Sequence, residues 1–197
     1  MNDELKSEWI EKLHATLYSF APIPAQEWKR ALSSFAYARI PKDGYFVRAG
    51  DIPERLAYIA RGLFRVVFVS ERGDEKTLVF REEGRLISAF SPFLAGKPSW
   101  FSIQALEDSD LVLIGIDNTD WTREADCWKT IYAKYMEMLF VEKEEREREF
   151  LSENAETRYR NFKKRYPLFE ERIPQYCIAS YLGITPVALS RIRSSMK

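Results

Sequence analysis

Two arginines near the C-terminus, Arg191 and Arg193, stand shortly after a Thr-Pro pair in the run IASYLGITPVALSRIRSSMK. A guanidinium donates two parallel hydrogen bonds, which suits a guanine edge or a phosphate. The residues around the pair give it a frame. Thr185 has the side chain of a helix N-cap, and Pro186 suits the first helical position. From there, steps of three and four place Leu189, Ile192 and Met196 on one side, and Val187, Ser190, Arg191 and Ser194 on the other. Ser190 and the free N–H groups at the helix start suit phosphates, and Arg193 lies between the two faces. Upstream, Ile178, Ala179 and Leu182 mark the apolar face of a first helix. Ala179 is small enough to let a second helix cross closely, Gly183 supplies a left-handed turn, and Ile184 fills the space between the helices. The predicted contact set is Thr185, Pro186, Val187, Ser190, Arg191, Arg193 and Ser194. An ordinary helix corner with exposed arginines has similar spacing, so charge must help to decide.

The formal net charge is zero, but it is unevenly spread. From Ala155 to Lys197 there are nine Lys or Arg against three Glu, so the preceding part is acidic by the same excess. A basic end on an acidic protein suits a polyanionic partner.

Other chemistry is poorly supplied. The chain has one histidine, His14, and two cysteines, Cys127 and Cys177. No histidine lies in the strand-rich middle, so a metal site of the cupin kind lacks ligands there. Two thiols fall short of an iron–sulfur set, haem has no axial ligand outside the N-terminal helix, and an isolated helical Cys reads as a small hydrophobe. There is no phosphate-binding glycine loop and no nucleophile–base pair. No catalytic residue, metal or cofactor is expected. The acid pairs Glu82–Glu83 and Glu107–Asp108 read as solvated turns.

The elements that must position these residues follow from periodicity. Leu5, Trp9, Leu13 and Leu17 have helical spacing, and PIPAQEWKRALSSF reads as a second short helix. From about Tyr37 to Ile116 short apolar runs are punctuated by glycines, which suggests an antiparallel barrel or jelly roll, with a hairpin turn at Arg72-Gly73-Asp74. From about Asp120 to Leu151 the spacing turns helical again and ends in a charged stretch. That helix reads either as surface or as a dimer seam. Three further helices follow from Asn154. No apolar run reaches the roughly 18 residues of a membrane span, and MNDELKSEWIEK lacks the apolar stretch of a secretory signal. A cytoplasmic protein without membrane contact is expected.

The run IASYLGITPVALSRIR resembles the helix-turn-helix of Crp/Fnr transcription regulators, and NAETRYRNF resembles the start of their DNA-binding domain. KDGYFVRAGDIPERLAYIARGLFRVVF and SIQALEDSDLVLIGI are similar to the opening and closing strands of a cyclic-nucleotide-binding fold. The resemblance implies an α+β chain in three parts. Residues 1–119 would form N-terminal helices and an antiparallel β-roll or jelly-roll sensor. Residues 120–152 would form a long dimerisation helix, and 153–197 a helical DNA-binding domain with little or no wing. It also implies a homodimer on a palindromic site in double-stranded DNA, with RNA polymerase as a further contact. The alternative is a ligand-sensing or protein-interaction module whose degenerate helix-turn-helix does not bind DNA.

In relatives that bind cyclic AMP, a Gly-Glu pair takes the ribose and an Arg-Ser pair takes the phosphate. Here those pairs fall on Ser88-Ala89 and Ser99-Trp100, so both charges are missing, and Lys97 is the one cation between them. A buried phosphate needs a cation or several N–H donors, so cyclic AMP is not expected in the usual mode. What remains, Ser88, Ala89, Phe90, Ser99, Trp100 and Phe101, reads as a candidate effector pocket of aromatic rings and hydroxyls, although such residues more often fill the core of a small barrel.

Overall fold

The computed structural model describes residues 3–115 and 125–196. Its elements run α1 (Asp3–Tyr18), α2 (Ala25–Leu32), β1 (Phe35–Ile40), β2 (Tyr45–Val47), β3 (Leu56–Arg61), β4 (Phe64–Val69), β5 (Glu75–Arg81), β6 (Leu86–Ile87), α3 (Phe90–Ala95), β7 (Ser102–Ala105) and β8 (Ser109–Ile114). Then come α4 (Asp126–Ser152), α5 (Ala155–Arg165), a 3₁₀ turn (Glu170–Arg172), α6 (Gln175–Leu182) and α7 (Pro186–Ser195). The expected start of the long helix at residues 120–124 lies outside the described residues.

The strands form two four-stranded antiparallel sheets, ordered β1-β8-β3-β6 and β2-β7-β4-β5. Between them lie Val47, Ile59, Phe64, Ile103 and Leu111, all buried. This is the expected roll. Strand β8 pairs with β1 on one side and β3 on the other, and its apolar run LVLI does not alternate because both faces are covered: Leu111 and Leu113 lie between the sheets, and Val112 lies in the cluster with Trp9 and Leu13 of α1. The hairpin between β4 and β5 turns at Gly73 with φ of 84°, as the Arg-Gly-Asp triplet predicts.

Helices α1 and α2 cover the outer face of the first sheet. Trp9, Leu13 and Leu17 repeat at four-residue steps and pack against Tyr58, Val112 and the start of α4. Leu5, placed in the same stripe by spacing, is exposed. The first half of α4 is held on the roll by its aromatic residues. The Trp128 indole donates to Glu27 at 3.0 Å, and the Tyr135 hydroxyl donates to the Leu86 carbonyl at 2.8 Å. Burial pushes the Tyr135 phenol up to about 12, so it stays a neutral donor.

The second half of α4 is charged but not merely solvated. Glu142 accepts from Arg81 and Arg85, each at 3.0 Å, and buried Glu149 pairs with Arg165 of α5 at 2.9 Å. The C-terminal helices share a core with the roll: Phe80 of β5 sits among the rings of Tyr181, Tyr166 and Phe162, at centroid distances of 5.3, 5.7 and 6.1 Å. Phe80 is fully buried there.

The acid pairs are a correction. Glu83 and Glu107 are not solvated turn residues, because Arg172 of the 3₁₀ turn bonds to both carboxylates and ties the C-terminal helices to the roll. Glu107 first, and then Glu83, hold the Arg172 guanidinium above its ordinary pKa against the effect of burial. Glu82 is also half-buried, and burial raises its carboxyl.

Candidate functional site

Helices α6 and α7 form the predicted corner. Gly183 ends α6 with φ of 68°, and its N–H bonds back to Ser180 while that of Ile184 bonds back to Ala179. That conformation favours glycine, and a Cβ there would also press on the ring of Phe150 of α4 at 2.8 Å. Thr185 caps α7, its hydroxyl accepting from the Ala188 N–H at 3.2 Å, with Pro186 in the first turn. Inside the corner Ile178, Ala179, Leu182 and Leu189 are fully buried, and Ile184, Ile192 and Met196 pack against them.

Thr185, Pro186, Val187, Ser190, Arg191 and Ser194 are all exposed, as the spacing requires. Two contacts narrow the set. The Ser194 hydroxyl donates to the Ser190 carbonyl at 3.0 Å. Arg193 is half-buried, with Glu170 at 3.8 Å, so it is partly occupied by its own domain. Glu170 also accepts from the Tyr159 hydroxyl; burial and that bond push the phenol up to about 12. Before the corner, Asn154 caps α5 by accepting from the Thr157 N–H at 2.9 Å.

The second candidate site is only partly as expected. A cavity of about 860 Å³ lies between β5, the α3 segment and α4. Ser88, Phe90, Trp100 and Phe101 line it, with Val66, Leu78, Ile103 and Leu139. Ala89 and Ser99 do not: Ala89 is fully buried in the core, and the Ser99 hydroxyl is spent on the Phe101 carbonyl at 2.7 Å. Ser88 lines the cavity, but its hydroxyl donates to the Arg55 carbonyl at 3.1 Å. The rings therefore do not simply fill the roll.

The cations also come from elsewhere than the sequence suggests. Lys97 is not in the wall; Lys76, Arg81, Lys143 and Arg146 are. Spacing could not find them, because they come from a neighbouring strand and from a helix over forty residues downstream. Ser180 and Gly183 of the helix corner complete the wall. A second, smaller cavity of about 410 Å³ is almost wholly apolar and lies between the first sheet, α3 and the start of α4.

Residues 38–123 match the family model for the cyclic nucleotide-binding domain. FixK2 from Bradyrhizobium japonicum is 16% identical, with 82% of this chain and 84% of that chain covered and a TM-score of 0.69. The c-di-GMP responsive global regulator CLP of Xanthomonas campestris is 13% identical, with 88% and 91% covered and a TM-score of 0.70. A regulator of the Crp/Fnr family from Eubacterium rectale is 16% identical, with 86% and 82% covered and a TM-score of 0.68.

The chain has the fold of a Crp/Fnr regulator.

The likeness spans both halves, the roll with α4 and the helices that carry the corner. No curated protein matches the chain in sequence. Among the described residues no helix is long and apolar enough to cross a membrane, and no cluster of His, Cys, Asp and Glu could hold a metal.

Proposed function

We propose that this chain is a dimeric, sequence-specific DNA-binding regulator of transcription, reading a palindromic operator in double-stranded DNA. The observation that carries this reading is the open face of α7. Val187, Ser190 and Arg191 project from a helix whose opposite side is filled, and whose segment holds nine bases against three acids. A capped helix of this shape fits a major groove, with Arg191 able to bond a guanine and the first turn able to hold phosphates. Support for a dimer comes from α4, which leaves Tyr132, Phe140, Val141 and Leu151 between 50% and 84% exposed. Pairing with a second copy along α4 would cover such side chains. In this reading residues 1–119 sense, 120–152 pair the subunits and 153–197 read DNA, inside the cytoplasm and in contact with RNA polymerase. Cyclic AMP is not the effector in the usual mode, because Ser88, Ala89 and Ser99 offer neither the carboxylate nor the guanidinium.

The test is binding to promoter fragments, including the protein's own, across a salt series. Affinity should fall linearly with salt on logarithmic axes. Absence of salt-dependent binding to every fragment would overturn the reading and favour a protein-interaction module. Calorimetry with cyclic AMP should show no heat of binding, and micromolar affinity would overturn the effector part.

A further inference from the structure

The open edge of the second sheet is where the C-terminal helices are seated. Strand β5 stands last in the order β2-β7-β4-β5, so one side of its backbone has no strand beside it. Its pairing steps from Val79 opposite Val66 to Thr77 opposite Val67, which leaves Leu78 as the extra residue of a bulge. Side chains fill the edge around it. The Ser180 hydroxyl of α6 accepts from the Thr77 N–H at 2.9 Å and donates to the Glu75 carbonyl at 3.0 Å. Arg146 of α4 donates Nε to the Leu78 carbonyl at 3.1 Å.

Arg146 reaches further than the strand. Its Nη2 donates to the Tyr181 carbonyl of α6, and its guanidinium lies over the Tyr181 ring at 3.4 Å and the Phe150 ring at 4.5 Å. At the far end of the Tyr181 ring the hydroxyl accepts from Arg165 at 2.8 Å, and Arg165 is paired with Glu149 of α4. One guanidinium therefore joins the roll, α4 and α6, two residues before Gly183 ends α6 and the chain turns toward α7.

That placement is poor for stability alone. Among the described residues Arg146 has no ion pair, and its Nη1 is buried without a partner. Burial pulls its pKa below the ordinary arginine value. Bonds to two carbonyls only partly offset the cost of taking a charge out of water, so a methionine should serve the fold about as well.

We propose that Arg146 is a positioning residue: it fixes the helix corner relative to α4 and the roll, and so sets the distance between the two α7 helices of a dimer. The spacing role rests on the regulator reading, since a dimer on a palindrome needs those helices one turn of DNA apart, about 34 Å. Lysine cannot take its place. A guanidinium spans two carbonyls and a ring face at once, whereas an ammonium is a point charge.

Two measurements on the full chain test it. The first uses no DNA. Hydrogen exchange compares wild type, Arg146→Met and Arg146→Lys. Peptides covering residues 175–184 should exchange about tenfold faster in both variants, while those from β3, β4 and β8 keep their rates and the urea midpoint moves little. Faster exchange throughout would make Arg146 a merely structural residue. Unchanged exchange over 175–184, or full recovery with lysine, would also overturn the proposal. The second measurement uses an operator selected by the wild type from random double-stranded DNA, beside the same operator with one or two base pairs inserted between its half-sites. Wild type should lose about tenfold or more on insertion. Both variants should bind the original more weakly and lose less on insertion, and an equal ratio in all three would remove the spacing role. A wild type that selects no DNA sinks the regulator reading and the spacing role with it, whereas the exchange result still decides whether Arg146 holds the corner.

Discussion

Arg191 projects from the second turn of α7 with no contact to hold it among the described residues, whereas Arg193 two positions on leans toward Glu170. The two guanidiniums are therefore unequal. Replacing Arg191 with Ala should lower specific DNA binding by about 1–3 kcal/mol and leave the oligomeric state unchanged. Gel-shift competition between cognate and scrambled fragments, beside sedimentation, reads both, and an unchanged site preference would remove the base contact. The outward set around Arg191 was legible in the sequence because a cap and a helical period are local signals. The cavity was not. Lys143 and Arg146 reach it only because α4 lies along β5, and nothing in the Ser88–Phe101 stretch announces them. The pairing of Glu83 and Glu107 was hidden for the same reason, since their partner, Arg172, lies far along the chain.

At the scale of elements, Gly183 is where α4, α6 and α7 meet. Its left-handed backbone and the approach of Phe150 are separate demands on one position. Gly183→Ala should cost about 1–3 kcal/mol in thermal or urea unfolding, through strain in the backbone. Combining it with Phe150→Ala should recover the part due to contact and leave the backbone part, and full recovery would show that the φ angle costs nothing. Helix α4 was foreseen within a residue at its C-terminal end, because Trp128, Ile131 and Tyr135 set a clear period. Its charged half was legible as helix, but not as a packed wall. Glu142, Arg146 and Glu149 look like solvent-facing residues until the elements carrying their partners are in place.

In the whole molecule, the roll and the C-terminal helices are joined by the Phe80 cluster and by Arg172 across Glu83 and Glu107. Arg172→Met should loosen this joint, seen as faster limited proteolysis between α5 and α6. Acid should do the same. Burial opposes ionisation of Glu83, but the bonds from Arg172 and from backbone N–H groups hold its carboxyl below the usual value near 4.5. Its contribution is therefore present above that value and fades as pH falls through the lower, folded one. The wild-type chain should show an acid-induced rise in proteolysis that Arg172→Met lacks, and identical profiles would remove Arg172 from the joint.

The ring cluster around Phe80 bears on how such a protein can be recombined. Phe162, Tyr166 and Tyr181 belong to the C-terminal helices, yet they complete their burial on a strand of the roll. A chimera that moved only those helices onto a foreign roll would set the rings against an unmatched surface. The smallest transplantable unit includes β5, so a swap of the C-terminal helices should cut upstream of Glu75 rather than at the end of α4.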